Sequence, residues 1–128
     1  MAIASINPAT GETVKTFEPW DAARLEAALR RAAAAQPRWA ALAFAERAAL
    51  FRQAAAELRA RQDHYAALIT LEMGKPVQEA RSEIEKCAGA CDYFAEHAQA
   101  FLAPEAIASD AGKSYVAWQP LGTVLAVM

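Results

Sequence analysis

The feature that most constrains this chain is a run at its end, residues 123–128, which is apolar after its first threonine. The run follows a turn signal at Pro120-Leu-Gly122, and it carries two valines and no charge. A short, uniformly apolar run is typical of a strand that is covered on both faces of a parallel sheet. Such a strand needs neighbours reached through crossover connections, and these 128 residues contain none after it. We therefore expect an orphan strand of a larger α/β protein, ending near the edge where open α/β sheets bind ligands.

Helical patterns occupy the middle of the chain. After Asp21, which can cap a helix, apolar residues recur at helical spacing and predict a first helix that stops by Pro37. A second helix is predicted at about residues 46–59. A third is predicted from Asp63 to Gly74, because glycine is the usual residue of a left-handed C-cap.

The clearest periodicity belongs to a fourth helix, which begins after Pro76 and ends before Pro104. Its apolar residues alternate in spacings of three and four, which predicts a helix of roughly 25 residues with one continuous apolar seam. The residues of this seam are Val77, Ala80, Ile84, Cys87, Cys91, Phe94, Ala98 and Phe101.

Two β-hairpins are predicted to flank the helices. The first pairs residues 2–7 with residues 13–17, and the second pairs residues 107–109 with residues 114–119 around the turn at 110–113. The sequence therefore predicts an α+β fragment of an α/β parent, with an N-terminal hairpin, about four helices, a second hairpin and one orphan parallel strand.

Composition excludes several classes of partner and place. The 13 basic and 15 acidic residues give a net charge of −2, so no nucleic acid or anionic membrane surface is expected as a partner. No apolar run approaches the roughly 18 residues of a membrane span, and the N-terminus lacks the features of a secretory signal. Two cysteines without such a signal predict a reducing cytoplasm, and Met1 is expected to be the natural start.

Cys87 and Cys91 lie four residues apart on the fourth helix. The roughly 5–6 Å between Cβ atoms at this spacing is too long for a disulfide. Two thiols can begin a metal site, but His97 lies well around the helix and His64 is distant in sequence, so no complete ligand set is expected. The same angle disfavours a catalytic pair of Cys91 and His97. Packing on the apolar seam is the favoured interpretation of both cysteines.

Charged side chains give two further expectations. A solvated face of the fourth helix, on which Arg81 and Glu85 can pair, is expected to carry Glu79, Arg81, Glu83, Glu85 and Lys86. Glu72 lies near a helix C-terminus, where the helix dipole disfavours a carboxylate. We expect Glu72 either to be simply exposed or to have a partner, which could be a lysine, an arginine or a bound cation.

Four stretches, in order, resemble the N-terminal portion of aldehyde dehydrogenases, and most of all bacterial NAD(P)-dependent succinate-semialdehyde dehydrogenases. They are Ile6-Asn-Pro-Ala-Thr-Gly-Glu12, Glu72-Met-Gly-Lys-Pro76, Cys91-Asp-Tyr-Phe-Ala-Glu-His97 and Pro120-Leu-Gly-Thr-Val-Leu-Ala-Val-Met128. Members of the family are several times longer, so the resemblance implies roughly the first quarter of such a protein.

The resemblance implies oxidation of an aldehyde, such as succinate semialdehyde, to the acid with NAD or NADP. A cysteine thiolate attacks the aldehyde, an asparagine stabilises the oxyanion, and a glutamate activates water for hydrolysis of the thioester. In the family these three residues follow the strand that ends this chain, and Cys87 and Cys91 do not match the nucleophile. No catalytic residue is therefore expected here, and this chain alone should be inactive.

The resemblance also implies roles for individual segments. Residues 1–104 correspond to the N-terminal hairpin and helical part of the cofactor-binding domain, and residues 105–119 to an arm that joins subunits of a homo-oligomer. Residues 120–128 correspond to the first, truncated strand of the dinucleotide-binding sheet. Val127 and Met128 match positions that line the dinucleotide site, and Lys86 lies near the substrate passage.

A monovalent cation site is a further implication of the resemblance. Ser5 and Ile6 match positions whose carbonyl groups bind the cation in some relatives, together with the acidic residue that corresponds to Glu72. Those relatives often have aspartate at that position, and another ligand of the site follows Met128 in the family.

One alternative of a different class stays open. The chain could be a non-catalytic helical interaction module that binds a partner through the apolar seam of its fourth helix. Continuation of the reading frame into the family's catalytic residues would favour the enzyme, whereas a soluble, monodisperse product of 128 residues would favour the module.

Overall fold

A computed structural model describes residues 3–127 of the chain. The two predicted hairpins and the four predicted helices are present, so the α+β fragment is confirmed. In chain order the elements are β1 (Ile3–Ile6), β2 (Thr13–Phe17), α1 (Ala22–Ala41), α2 (Phe44–Ala60), α3 (Gln62–Met73), α4 (Val77–Phe101), β3 (Glu105–Ala106) and β4 (Tyr115–Val116).

The first hairpin forms where the sequence predicts it. Strands β1 and β2 pair antiparallel, from Ile3 opposite Phe17 to Ile6 opposite Thr13, with a shift of register between Ser5 and Ile6. The connecting loop is closed by a 2.8 Å hydrogen bond from the Gly11 amide to the Asn7 carbonyl. Gly11 has a φ of 76°, a left-handed conformation that glycine adopts without steric cost.

The first helix begins as predicted but ends later. The Asp21 side chain accepts a 2.7 Å hydrogen bond from the Arg24 amide and caps the helix. The predicted stop at Pro37 is wrong, because α1 continues through this proline to Ala41. Proline removes the amide that would bond the carbonyl of Ala33. Both residues are exposed, so water can satisfy that carbonyl and the helix continues.

The core lies where α4 packs against both α2 and α3. Its buried residues are Ala55 of α2, Ala66 of α3, and Ala80, Ile84 and Ala88 of α4. Four of these five are alanine, so the helices can approach closely but bury little apolar volume. Helix α1 contributes no buried residue.

The buried line of α4 differs from the predicted seam. Val77, Phe94 and Phe101 are 44%, 49% and 51% exposed, and Cys87 is exposed as well. The buried line passes instead through residues 80, 84 and 88. Residues spaced seven apart do not lie exactly above one another on an α-helix, because each repeat of seven is rotated by about 20°. A seam with alternating spacings of three and four therefore drifts around a straight helix and leaves the line where that helix contacts its neighbours. Core packing of Cys87 is therefore wrong, and Cys91 is only half-buried.

Ion pairs connect the three packed helices. Arg59 of α2 donates to Glu85 at 2.9 and 3.0 Å and to Asp92 at 2.7 Å, both on α4. The hydrogen bonds to Glu85, and then the one to Asp92, raise the pKa of Arg59. Arg81 of α4 donates at 2.8 Å to Asp63 of α3. The predicted pair of Arg81 and Glu85 is thus wrong, because each residue finds a partner on a neighbouring helix.

The second hairpin is shorter than predicted, and its strands pair at earlier residues. Glu105 lies opposite Val116, and the Ile107 amide donates to the Ser114 carbonyl at 2.9 Å. The expected strand at residues 107–109 is therefore part of the loop. Within this loop, the hydroxyl groups of Ser109 and Ser114 form a 2.7 Å hydrogen bond, so side chains and not strand pairing hold residues 109 and 114 together.

The segment after β4 forms no strand within residues 117–127. Leu121 and Leu125 are 98% and 87% exposed. The Thr123 hydroxyl donates at 3.3 Å to the Ala32 carbonyl of α1. A strand is held by a neighbour, and no other strand lies beside this segment in the described part of the chain. The assignment of residues 120–128 to a dinucleotide-binding sheet stays a prediction.

Candidate functional site

The first hairpin lies against the turn between α3 and α4. The Ser5 hydroxyl donates at 3.0 Å to a carboxylate oxygen of Glu72, 67 residues further along the chain. Beside this contact, a Cβ atom added to Gly74 would lie 3.1 Å from Cγ of Pro8. Gly74 is the predicted left-handed C-cap, with a φ of 69°. The glycine therefore serves both the helix end and the close approach of the hairpin.

This arrangement brings two of the three predicted cation ligands together. Ser5 and Glu72 are in contact, and Ile6 is the next residue of β1, 52% exposed. Glu72 is exposed and accepts this hydrogen bond from a hydroxyl group, and it forms no ion pair with a lysine or arginine of residues 3–127. Carboxylate and hydroxyl oxygens suit a hard cation, but residues 3–127 contain no cluster of three or more His, Cys, Asp or Glu residues around one point. The cation role of Ser5, Ile6 and Glu72 stays a prediction.

A shallow groove on α4 contains the predicted substrate-passage residue, Lys86. Ser82, Glu83, Cys87 and Ala90 also line it. Glu83 is paired with Lys75, and this hydrogen bond lowers the pKa of Glu83 and raises that of Lys75. Lys86 itself forms no ion pair with a carboxylate of residues 3–127. It is therefore an exposed positive charge beside a neutralised neighbour.

His97 stacks with aromatic residues on the exposed side of α4. Its ring centroid lies 4.4 Å from that of Tyr93 and 5.9 Å from that of Phe101. No hydrogen bond joins His97 to Cys91 within the described residues. Both cysteines are free thiols. The catalytic cysteine–histidine pair that the sequence disfavours is therefore not formed.

The sequence does not predict the larger groove, which lies between α2 and the second half of α4. Its volume is about 590 Å³, and its apolar lining includes Trp39, Phe44, Phe51, Phe94 and Leu102. The Arg47 guanidinium lies 4.3 Å from the Phe44 ring centroid, and its Nε has no hydrogen-bond partner in the described chain. The spacing of Phe44, Arg47 and Phe51 at i, i+3 and i+7 is the signal that could have indicated one face of α2.

The predicted cofactor-binding end of the chain is open. Val127 is 88% exposed and lines neither groove. Its backbone and side chain are accessible, but they form no enclosed cradle with the residues of those grooves. Met128 lies outside the described residues. The dinucleotide contacts of Val127 and Met128 stay predictions.

None of the helices described within residues 3–127 combines the length and the apolar character that a membrane crossing requires.

Curated relatives match the chain along its whole length. A probable succinate-semialdehyde dehydrogenase, NADP(+), of Synechocystis sp. is 46% identical over 128 residues, which cover 100% of this chain and 28% of that protein. A succinate-semialdehyde dehydrogenase, NADP(+), of Mycobacterium leprae is 47% identical over 131 residues, which cover 100% of this chain and 29% of that protein. The chain thus spans little more than a quarter of these relatives.

Solved structures share the fold. Succinic semialdehyde dehydrogenase from Streptococcus pyogenes, solved with NADP+ as the cofactor, is 35% identical with a TM-score of 0.82, over 89% of this chain and 25% of that chain. Lactaldehyde dehydrogenase from Escherichia coli is 36% identical with a TM-score of 0.77, over 87% of this chain and 23% of that chain. The family model described as "Aldehyde dehydrogenase family" matches residues 1–128. The chain therefore belongs to the aldehyde dehydrogenase family.

Proposed function

We propose that these residues are the N-terminal part of an oxidoreductase that oxidises succinate semialdehyde to the carboxylic acid with NADP or NAD. The catalytic residues lie outside these 128 residues. The observation that carries the proposal is the match of the whole chain to relatives named succinate-semialdehyde dehydrogenase, NADP(+), of which it spans 28–29%.

The exposed surface supports a role as part of a larger protein. The chain exposes 10227 Å², whereas a folded monomer of 13.8 kDa exposes only about 6,600 Å². The difference, roughly 3,600 Å², is more than four times the area of about 800 Å² that one partner contributes to a standard protein–protein interface. An interaction module that binds one partner of ordinary size would bury much less surface than this difference. The area therefore favours the enzyme over the helical interaction module.

Lys86 is proposed to attract the carboxylate of the semialdehyde. Within residues 3–127 its positive charge has no ion-pair partner, and Glu83 in the same groove is paired with Lys75. An uncompensated cation at the mouth of a passage raises the local concentration of an anionic substrate. A neutral aldehyde of similar length would gain nothing from it.

The exposed ends of the chain are proposed to join the sheet and the oligomer. Val127 and Met128 would line the dinucleotide site once neighbouring strands cover residues 120–128. The β3–β4 hairpin has two-residue strands, and its Tyr115 and Trp118 are 55% and 54% exposed. A two-stranded hairpin is marginal by itself, so a covering subunit of a homo-oligomer would stabilise it.

Two smaller proposals complete the assignment. Ser5, Ile6 and Glu72 would contribute to a monovalent cation site, supported by the contact between Ser5 and Glu72 and completed by a ligand beyond these residues. The two free thiols suit a reducing compartment, and we propose the cytoplasm.

A chimera tests the proposed function. The segment of the Synechocystis relative that matches this chain is replaced by these 128 residues, and NADPH formation is followed with succinate semialdehyde. We expect turnover by the chimera and none by the 128-residue chain alone. Turnover by the isolated chain, or a folded chimera that does not oxidise the aldehyde, would contradict the proposal.

A further inference from the structure

Cys87 and Cys91 are two free thiols for which neither the core nor the proposed function supplies a role. They lie four residues apart in the middle of α4. Cys87 is exposed and lines the shallow groove, whereas Cys91 is half-buried on the turn that follows the buried Ala88. Core packing therefore does not account for the pair, and the question is what two thiols at this spacing can hold.

The spacing suits an ion between the sulfurs better than a direct bond. Cβ atoms at positions i and i+4 of a helix lie about 5–6 Å apart, whereas a disulfide needs about 3.5–4.5 Å. A bond from a metal ion to a thiolate sulfur is about 2.3 Å long in zinc sites, so an ion in line between two sulfurs holds them roughly 4.6 Å apart. Two cysteine side chains on one helix face can reach that separation while the backbone stays helical.

The number of ligands selects the kind of ion. Residues 3–127 contain no cluster of three or more His, Cys, Asp or Glu residues around one point. Zinc takes four ligands, or three and a water molecule, so two thiols do not complete a zinc site. Thiolates are soft ligands that select copper(I), and this monovalent ion is satisfied by two of them in line.

The charges around Cys87 favour the complex that would form. Two thiolates and one copper(I) ion carry one excess negative charge. Lys86, in the same groove, forms no ion pair with a carboxylate of residues 3–127, so its positive charge can offset that excess. Glu83, one turn before Cys87, is paired with Lys75 and adds little repulsion.

Helix α4 sets the spacing before any ion binds. Ile84 and Ala88 bury this part of the helix against its neighbours. Arg59 of α2 donates to Glu85 and Asp92, which lie on either side of the two cysteines in sequence. Binding therefore has to order only the two cysteine side chains, and a site that is formed in advance loses less entropy on binding.

We propose that Cys87 and Cys91 bind one copper(I) ion as a two-thiolate site on α4. Each thiol loses its proton to solvent and forms one sulfur–copper bond, and no electron is transferred. The proposal does not depend on the proposed function, because both ligands belong to this chain and neither matches the nucleophile of the family.

Competition with a coloured copper(I) chelator tests the proposal. The reduced 128-residue chain, whose only cysteines are these two, is titrated without oxygen or thiol reductants. We expect one ion per chain. Cys87→Ser and Cys91→Ser should each weaken binding by about a hundredfold or more, since even the loss of a group that only supports a ligand costs 10–100-fold. X-ray absorption of the complex should show two sulfur neighbours around copper.

A respaced chain is the matched control. Cys91→Ser combined with Gly89→Cys keeps two thiols but places them two residues apart, where side chains do not face each other. Gly89 has open space around it, so the new side chain is accommodated. Binding as weak as that of the single serine variants is expected, and circular dichroism verifies that the helices are retained.

Several results would overturn the proposal. They are failure of the wild-type chain to compete with the chelator, wild-type affinity in either serine variant or in the respaced chain, and one ion shared by two chains in size-exclusion chromatography. Displacement of bound copper(I) by an equal concentration of zinc would also overturn it, because a two-thiolate site leaves zinc without its remaining ligands.

Discussion

Among residues 3–127, Ile84 is the only buried residue larger than alanine, at 7% exposure, so its truncation is the sharpest test of the helical core. Ile84→Ala removes three side-chain carbons from the contact of α4 with α2 and α3. At about 0.8 kcal/mol for each buried methylene, the loss of burial alone costs roughly 2.4 kcal/mol. A residual cavity adds to this cost, and the higher helix propensity of alanine offsets a few tenths of a kcal/mol. We expect a loss of about 3 kcal/mol in the free energy of unfolding.

Leu50→Ala is the matched control, because it also removes three carbons from a helix and Leu50 is 44% exposed. Its expected cost is about 1.3 kcal/mol, slightly more than half of the same burial term. Urea unfolding followed by circular dichroism, fitted with a common slope, measures both variants against the wild type. Equal losses for Ile84→Ala and Leu50→Ala would refute the burial pattern. The dependence of the free energy of unfolding on urea concentration is expected to scale with chain length. A much weaker dependence for the wild type would show that the helices do not unfold cooperatively.

Three further predictions concern the turn, an ion pair and the substrate charge. Gly74→Ala should destabilise the chain by roughly 1–2 kcal/mol, because Gly74 has a φ of 69° and the new Cβ would lie 3.1 Å from Pro8. Gly89→Ala is the control: Gly89 lies on α4 with open space around it, so the same urea assay should show stabilisation by up to about 1 kcal/mol. Lys75 lowers the pKa of Glu83, so this pair stabilises the fold at pH values above the unfolded-state pKa of a glutamate, and the stabilisation is lost as pH falls through the folded-state pKa. Glu83→Gln should therefore reduce the fall in the free energy of unfolding at acidic pH, and an unchanged fall would contradict the pairing. In the chimera, Lys86→Gln should raise KM for succinate semialdehyde and leave KM for a neutral aldehyde unchanged, and a parallel rise for both would exclude the charge role.

Local signals in the sequence predict the elements because each acts within one turn of chain. Asp21 caps α1 through the Arg24 amide, and Gly74 ends α3 in the left-handed conformation that glycine allows. Pro37 shows the limit of this kind of reasoning. A proline ends a helix where its lost hydrogen bond cannot be replaced, and exposure of the free carbonyl to water is a property of the tertiary fold.

Pairings between elements are harder to predict because several partners are compatible with the same residue. Arg81 can reach Glu85 along its own helix, yet it pairs with Asp63, and Glu85 pairs with Arg59. The contact of Ser5 with Glu72 joins residues 67 positions apart. The charge at Glu72 predicts only that a partner is possible, and it was the resemblance to the family that associated these two residues.

The difference between the predicted seam and the buried line of α4 follows from what the chain contains. The large residues of the seam, Phe94 and Phe101, stay about half exposed, because α2 and α3 meet α4 along the alanine-rich line through Ala80 and Ala88. A helix with apolar residues on more than one side is expected to be covered on more than one side. The pattern therefore describes α4 as it would lie in a larger assembly. Within these residues, one side of α4 is buried against α2 and α3, and the side that carries Phe94 and Phe101 stays exposed. If an apolar dye bound the 128-residue chain and its Phe94→Ser and Phe101→Ser variants equally well, this account of α4 would be wrong.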